Sequence, residues 1–138
     1  MSETLSELVL KVAEQLLAAA NRADAEAFGE GYQLLKQLCE ESESEKANHP
    51  LQWEALADFT EDYSQARVYY EKAYQLALSL HQPEHLTSVS LALALLSEDE
   101  GDIEQAYGLA QRASEHAKLS TDQDLKDEIQ VLVKHLTQ

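Results

Sequence analysis

The chain has 138 residues, is 44% hydrophobic, and contains only 4 Gly and 2 Pro, so it is long enough to bury a core and poor in residues that break helices. Its 26 acidic and 10 basic residues give a formal charge of −16, which argues against binding to nucleic acid or to an anionic membrane and favours basic proteins as partners. The single cysteine, Cys39, excludes an internal disulfide and favours a reducing, cytoplasmic compartment.

The N-terminal part of the chain predicts an amphipathic helix from Leu5 to about Ala20. Its apolar residues recur every three or four positions, which is the spacing of one helix face. The stripe consists of Leu5, Leu8, Val9, Val12, Leu16 and Ala19.

A gapless internal repeat follows, and each copy begins with an aspartate. The three aspartates, Asp24, Asp62 and Asp102, are 38 and 40 residues apart. Each is predicted to be the N-cap of a helix, because an aspartate side chain accepts hydrogen bonds from the first N–H groups of a helix. Positions 4, 8, 11 and 15 after each aspartate form one helix face. They are Phe28, Tyr32, Leu35 and Cys39; Ala66, Tyr70, Ala73 and Ala77; and Ala106, Ala110, Ala113 and Ala117.

Three further helices are predicted between and after these repeats. The first begins after Pro50, with Asn48 as its cap, and the second begins near Pro83 or Glu84. The last starts after Thr121 or Asp122. The sequence therefore predicts an all-α fold in a single domain over residues 1–138. It consists of about three helical hairpins, over residues 3–42, 50–81 and 84–119, and a capping helix over residues 122–137.

The repeat also carries a familiar pattern of small and aromatic residues. Small residues allow two antiparallel helices to approach closely, while bulky residues fill the flanking space. The pattern lies in Glu61-Asp62-Tyr63-Ser64-Gln65-Ala66 with Tyr69-Tyr70-Glu71-Lys72-Ala73, and in Leu93-Ala94 with Gly101-Asp102-Ile103-Glu104-Gln105-Ala106 and Ala113. These stretches resemble tetratricopeptide repeats (TPRs) of a long variant of about 40 residues. The likeness covers residues 50–119 and is weaker over 5–42, where Phe28 replaces a small residue and Gly31 falls inside the helix.

The resemblance implies a TPR-like α-α superhelix and a role in binding other proteins. Such arrays hold a peptide or helix in a groove lined by the first helix of each hairpin. An apolar groove with an acidic rim suits a basic amphipathic segment. None of the matching positions is Lys or Arg, so clamping of a carboxylate is not expected. The predicted partner-binding residues are Leu17, Leu51, Gln52, Ala55, Asp58, Phe59, Leu91, Leu95, Glu98 and Asp99, and further groove or rim positions are Ala13, Glu14, Ala92, Val131 and His135.

No residue pattern indicates an enzyme, a cofactor or a metal. His81 and His85 are four residues apart, but Pro83 lies between them and no HExxH pattern occurs. Cys39 lacks a second cysteine for a zinc site and lies on an apolar stripe, so we expect it to be buried and inert. The acidic run from Glu40 to Glu45 is predicted to be a solvated linker, and the alternative is a flexible arm that binds a basic partner.

The sequence leaves the function open between several classes. The first is an adaptor or chaperone-like module that binds another protein. The alternative is an immunity or inhibitor protein that neutralises a basic toxin or nuclease, because the strong negative charge would complement such a target. A homodimer formed through the helix over residues 122–137 is a further expectation.

Overall fold

The computed structural model describes residues 4–44 and 48–138, and in this part of the chain every regular element is an α-helix. The prediction of an all-α, repeat-like fold is confirmed. Helices α1 and α2 correspond to the first predicted hairpin, α3 and α4 to the second, α5 and α6 to the third, and α7 to the capping helix. Their bounds are α1 Leu5–Asn21, α2 Ala25–Ser44, α3 Pro50–Asp58, α4 Tyr63–Ser79, α5 Pro83–Asp99, α6 Ile103–Ala117 and α7 Gln123–Leu136.

The chain divides into two compact units, and the division falls within α4. In the unit formed by Met1–Tyr69, α1 packs on α2, and both pack on α3. In the unit formed by Tyr70–Gln138, α5 packs along α6, and α7 contacts both. That residues 1–138 form a single domain stays a prediction.

The aspartate-led repeat is built as the sequence predicts. The side chains of Asp24, Asp62 and Asp102 accept hydrogen bonds from the backbone N–H groups of Ala27, Gln65 and Gln105, each at 3.0 Å. These bonds satisfy donors that the first turn of a helix leaves unpaired. All repeat positions on α4 and α6 are buried, whereas Phe28 and Tyr32 on α2 are half-buried.

Three of the turns between helices share a left-handed residue that the repeat alignment does not reveal. Ala23, His81 and Gly101 have φ of 55°, 54° and 84°. In each case the residue that follows donates its N–H to a carbonyl five positions back, at 2.9 to 3.0 Å. This is the Schellman arrangement, which satisfies carbonyls at the end of a helix.

The start of α3 differs from the prediction. His49, and not Asn48, caps the helix, because its Nδ1 accepts the N–H of Leu51 at 3.1 Å. The side-chain oxygen of Asn48 instead accepts from Trp53 Nε1 at 2.8 Å. The side chain of Asn48, which the local sequence predicts to be the cap, therefore binds Trp53 instead of the backbone of α3.

The predicted linker is helical in the part that the structure describes. Helix α2 continues to Ser44, and Glu45 lies outside the described residues. Ser42 is buried and donates to the carbonyl of Cys39 at 3.0 Å. Because Ser42 lies on the same face as the buried Cys39, packing against α3 extends the helix into the acidic run.

Candidate protein-binding groove

Helix α1 carries two apolar stripes side by side. Val9, Val12 and Leu16 point into the core. One residue further along the chain, which is a rotation of about 100°, Leu10 and Leu17 remain 52% and 56% exposed. A helix packed on only one side would bury a single stripe, so the second stripe is a surface available for contact.

This second stripe faces a matching surface of α3, and together they form a groove of about 440 Å³. Its floor is apolar, and three carboxylates lie among its lining residues. We call it the α1–α3 groove. It is lined by Leu10, Ala13, Glu14 and Leu17 from α1, and by Leu51, Glu54, Ala55, Asp58 and the adjoining Phe59 from α3.

The structure brings together seven of the positions that the sequence places in a groove or on its rim within this unit. They are Ala13, Glu14, Leu17, Leu51, Ala55, Asp58 and Phe59. Sequence reasoning missed Leu10 and Glu54. Leu10 lies one helical turn before Ala13, so the offset apolar stripe on α1 is the signal that would have found it.

Gln52 does not belong to this surface. It is 1% exposed, and its amide nitrogen donates to Ser42 Oγ and to Asn48 Oδ1. Gln52 thus joins the end of α2 to the start of α3 inside the core. The prediction that Gln52 contacts a partner is corrected, because its side chain is buried and its amide nitrogen is hydrogen-bonded inside the protein.

The predicted residues in the second unit fall into different environments. Leu91 is 4% exposed and belongs to a core cluster with residues of α6 and α7, so its placement in a binding groove is also corrected. Leu95 is 36% exposed and Asp99 is exposed. The carboxylate of Glu98 lies 3.2 Å from His135 Nε2, which gives an ion pair between α5 and α7 when His135 is protonated.

A polar cluster in the second unit joins three helices. Tyr74 on α4 shares a hydrogen bond of 2.9 Å with His116 Nε2 on α6. The guanidinium of Arg112 stacks 3.8 Å from the centre of the Tyr74 ring, and its Nε donates to Ser90 on α5 at 3.3 Å. Burial and the positive charge of Arg112 lower the pKa of His116 below its ordinary value. Both effects favour the neutral imidazole of His116.

A second polar contact fixes the start of α7. The carboxylate of Glu84, at the start of α5, accepts from Ser120 Oγ at 2.6 Å and from the Thr121 N–H at 2.7 Å. These hydrogen bonds stabilise the ionised carboxylate and lower the pKa of Glu84. Glu84 therefore anchors the α6–α7 turn to α5.

Metal binding and membrane insertion are two further properties on which the described residues bear. Over residues 4–44 and 48–138, no three or more His, Cys, Asp or Glu side chains are placed together so that they could hold a metal ion. None of the helices in this part is long and apolar enough to cross a membrane. Comparisons with protein-family models, with curated proteins and with solved structures find no match to the chain.

Proposed function

We propose that this chain is a non-enzymatic, TPR-like protein-interaction module, adaptor or chaperone-like, that works in the cytoplasm. It binds a peptide, a helix or a basic protein through the α1–α3 groove. The observation that carries the proposal is the pair of exposed leucines, Leu10 and Leu17, which lie in a groove whose other wall is formed by α3.

The chemistry of the groove determines the kind of partner that it suits. Leu10, Leu17 and Leu51 offer apolar contact, and burial of one leucine side chain contributes about 1.5–3 kcal/mol. Glu14, Glu54 and Asp58 are acidic, in a chain whose net charge is −16. A helix with apolar residues on one face and Lys or Arg on its flanks matches both properties.

The net charge also favours a second candidate, an immunity or inhibitor protein that neutralises a basic toxin or nuclease. A charge of −16 on 138 residues accelerates the encounter with a basic protein, and an acidic surface is complementary to a cationic active site. Under this alternative the partner is one catalytic protein, and its activity falls when the chain is added. The gene beside this one would then encode the toxin.

The first test is affinity capture with the immobilised wild-type chain, at low and at raised salt, with partners identified by mass spectrometry. The variant Leu17→Gln keeps the helix propensity but removes an exposed apolar contact. We expect it to weaken capture about tenfold, which corresponds to a loss of ~1.4 kcal/mol.

The matched control is Leu34→Gln, which changes a leucine of α2 that is 44% exposed and lies outside the α1–α3 groove. It should capture the partner as the wild-type chain does. Equal capture by both variants would contradict the groove proposal. A single basic enzyme that is released by salt and inhibited by the chain would instead support the inhibitor function.

A further inference from the structure

A second pocket of about 490 Å³ lies at the turn between α1 and α2, beyond the end of the α1–α3 groove. We call it the turn pocket. Its lining residues include alanines in and beside this turn, among them Ala20, Ala23 and Ala25, together with Phe28. Ala23, one of these lining residues, has φ of 55°, a conformation that costs an alanine about 1 kcal/mol relative to glycine.

The rim of the turn pocket is acidic. Asp24 and Glu61 both line it. The carboxylate of Asp24 already holds the guanidinium of Arg22, with 3.3 Å between Arg22 Nη2 and Asp24 Oδ2. Among the residues that the structure describes, no side chain pairs with Glu61. The pocket therefore offers one acceptor carboxylate above an apolar wall.

An aromatic contact links the turn pocket to the α1–α3 groove. Phe28 lines the pocket and Phe59 lines the groove. Their rings meet edge to face, with centroids 6.2 Å apart. A chain that lies in the groove and continues towards the C-terminal end of α1 would reach the pocket.

We propose that the turn pocket receives a Lys or Arg side chain of the partner protein. Its aliphatic stem packs on the alanine methyls and Phe28, while its cationic end pairs with Glu61. Long basic side chains bind surfaces of this kind because they combine an apolar stem with a charged end. The inference builds on the proposed function, since it names the anchor residue of a partner that lies in the groove.

The test uses a small probe, so it does not depend on knowing the partner. Titration of the ¹⁵N-labelled full chain with n-butylguanidinium should give saturable shifts of the amides of residues 19–29 and of Glu61, with millimolar affinity. The neutral isostere N-butylurea should bind more weakly. Glu61→Gln should weaken the guanidinium about threefold, as expected for an exposed ion pair.

A variant that obstructs the pocket tests whether the probe binds in the pocket itself or only to the negatively charged surface. A Cβ atom built on Gly29, which lines the pocket, meets no other atom within 4 Å, so Gly29→Leu is chosen to place a bulky side chain at the pocket without a clash at its Cβ. Its control is Gly108→Leu on α6, where a side-chain carbon is equally unobstructed. We expect Gly29→Leu to abolish the shifts and Gly108→Leu to leave them unchanged.

Three results would overturn the proposal: no saturable shifts, equal affinity for N-butylurea, or unchanged binding to Gly29→Leu. None of them bears on the α1–α3 groove, which the Leu17→Gln capture experiment tests separately. Conversely, if Leu17→Gln and Leu34→Gln capture the partner equally while the titration gives saturable shifts, the turn pocket binds cations but has no role in partner binding.

Discussion

The caps of α2, α4 and α6 are determined by single residues and their immediate neighbours. In each case an aspartate accepts the N–H three residues later, so the interaction needs no distant part of the chain. The cap of α3 shows the opposite case. Asn48 has a suitable side chain, but Trp53 Nε1 and Gln52 engage it, and His49 caps the helix. Tertiary packing thus decides which of two adjacent side chains acts as the cap.

Ser97 offers a test of buried polar groups at the scale of one residue. Its Oγ is fully buried in α5 and has no hydrogen-bond partner in the described part of the chain. Leaving a hydroxyl desolvated without a partner costs about 1 kcal/mol or more. We therefore expect Ser97→Ala to raise the free energy of unfolding by about 1 kcal/mol, measured by urea denaturation.

Ser90 on the same helix is the control. It is equally buried, but its Oγ accepts from Arg112 Nε at 3.3 Å. Ser90→Ala removes that acceptor, so we expect a loss of about 1 kcal/mol. The two substitutions gain the same helix propensity, so the opposite signs report the hydrogen bond alone. Two changes of the same sign would contradict this interpretation.

At the scale of the elements, the left-handed turns set the direction of the chain between helices. His81 and Gly101 end α4 and α5 in the same conformation, with φ of 54° and 84°. A residue with a Cβ atom loses about 1 kcal/mol there relative to glycine. We expect His81→Gly to stabilise the protein by about that amount and Gly101→Ala to destabilise it by a similar amount, as shifts of the urea midpoint. Equal midpoints for both variants would show that the turns relax.

The packing of α1 on α2 depends on a glycine that the repeat alignment does not explain. A Cβ on Gly31 would lie 3.0 Å from Leu16 Cδ2, and Leu16 is completely buried. Gly31 thus supplies the close approach between α1 and α2, at a repeat position different from those of the buried alanines on α6. Phe28, at the repeat position where α6 carries Ala106, is half-buried.

Alanine substitutions at two helical glycines test this role. Gly108→Ala on α6 meets no atom within 4 Å and should gain about 0.5–1 kcal/mol from helix propensity. Gly31→Ala gains the same propensity but overpacks Leu16, which costs about 1–3 kcal/mol. We expect Gly31→Ala to be the less stable of the two in thermal unfolding. Equal stabilisation of both variants would show that Leu16 moves aside.

At the scale of the whole molecule, His116 and Glu84 each contribute stability that is lost as the pH falls. The pKa of His116 lies below its ordinary value of 6.5, because burial and then the charge of Arg112 disfavour the imidazolium. The unfolded chain therefore binds a proton near pH 6.5 that the folded chain resists, so stability decreases from about pH 6.5 down to the lowered pKa and is then level. The pKa of Glu84 is lowered as well, so its contribution is present above its ordinary value of 4.5 and is lost as the pH falls through the folded pKa.

The variant His116→Gln isolates the first of these effects. It removes the ionisable ring, while all other titrating groups stay the same in both proteins. We expect the difference in unfolding free energy between the wild-type and variant chains to change between pH 7.5 and the lowered pKa, with the wild type losing more stability. Parallel curves over this range would mean that folding does not perturb His116.

The α1–α3 groove can be compared with the groove residues that the sequence predicts. The periodic stripes predict that Leu17, Leu51 and Ala55 share a surface, and the three residues line one groove in the structure, because the side chains of a helix emerge at fixed angles. That this surface binds a partner stays a prediction. The same periodicity misplaces Gln52 and Leu91. Only the packing of the neighbouring helices determines that these two side chains are buried.

The sequence by itself determines the all-α class, the order of the seven helices found in residues 4–44 and 48–138, and the caps of α2, α4 and α6. These depend on local hydrogen bonds and on the 3.6-residue period, which act within one helical turn or a few turns. Only the tertiary structure decides that Gly31 brings α1 and α2 together, that Ser42 extends α2, and that the exposed stripe of α1 meets α3 in a groove. Burial depends on which helices approach one another and how closely, and that is a property of residues far apart in the chain.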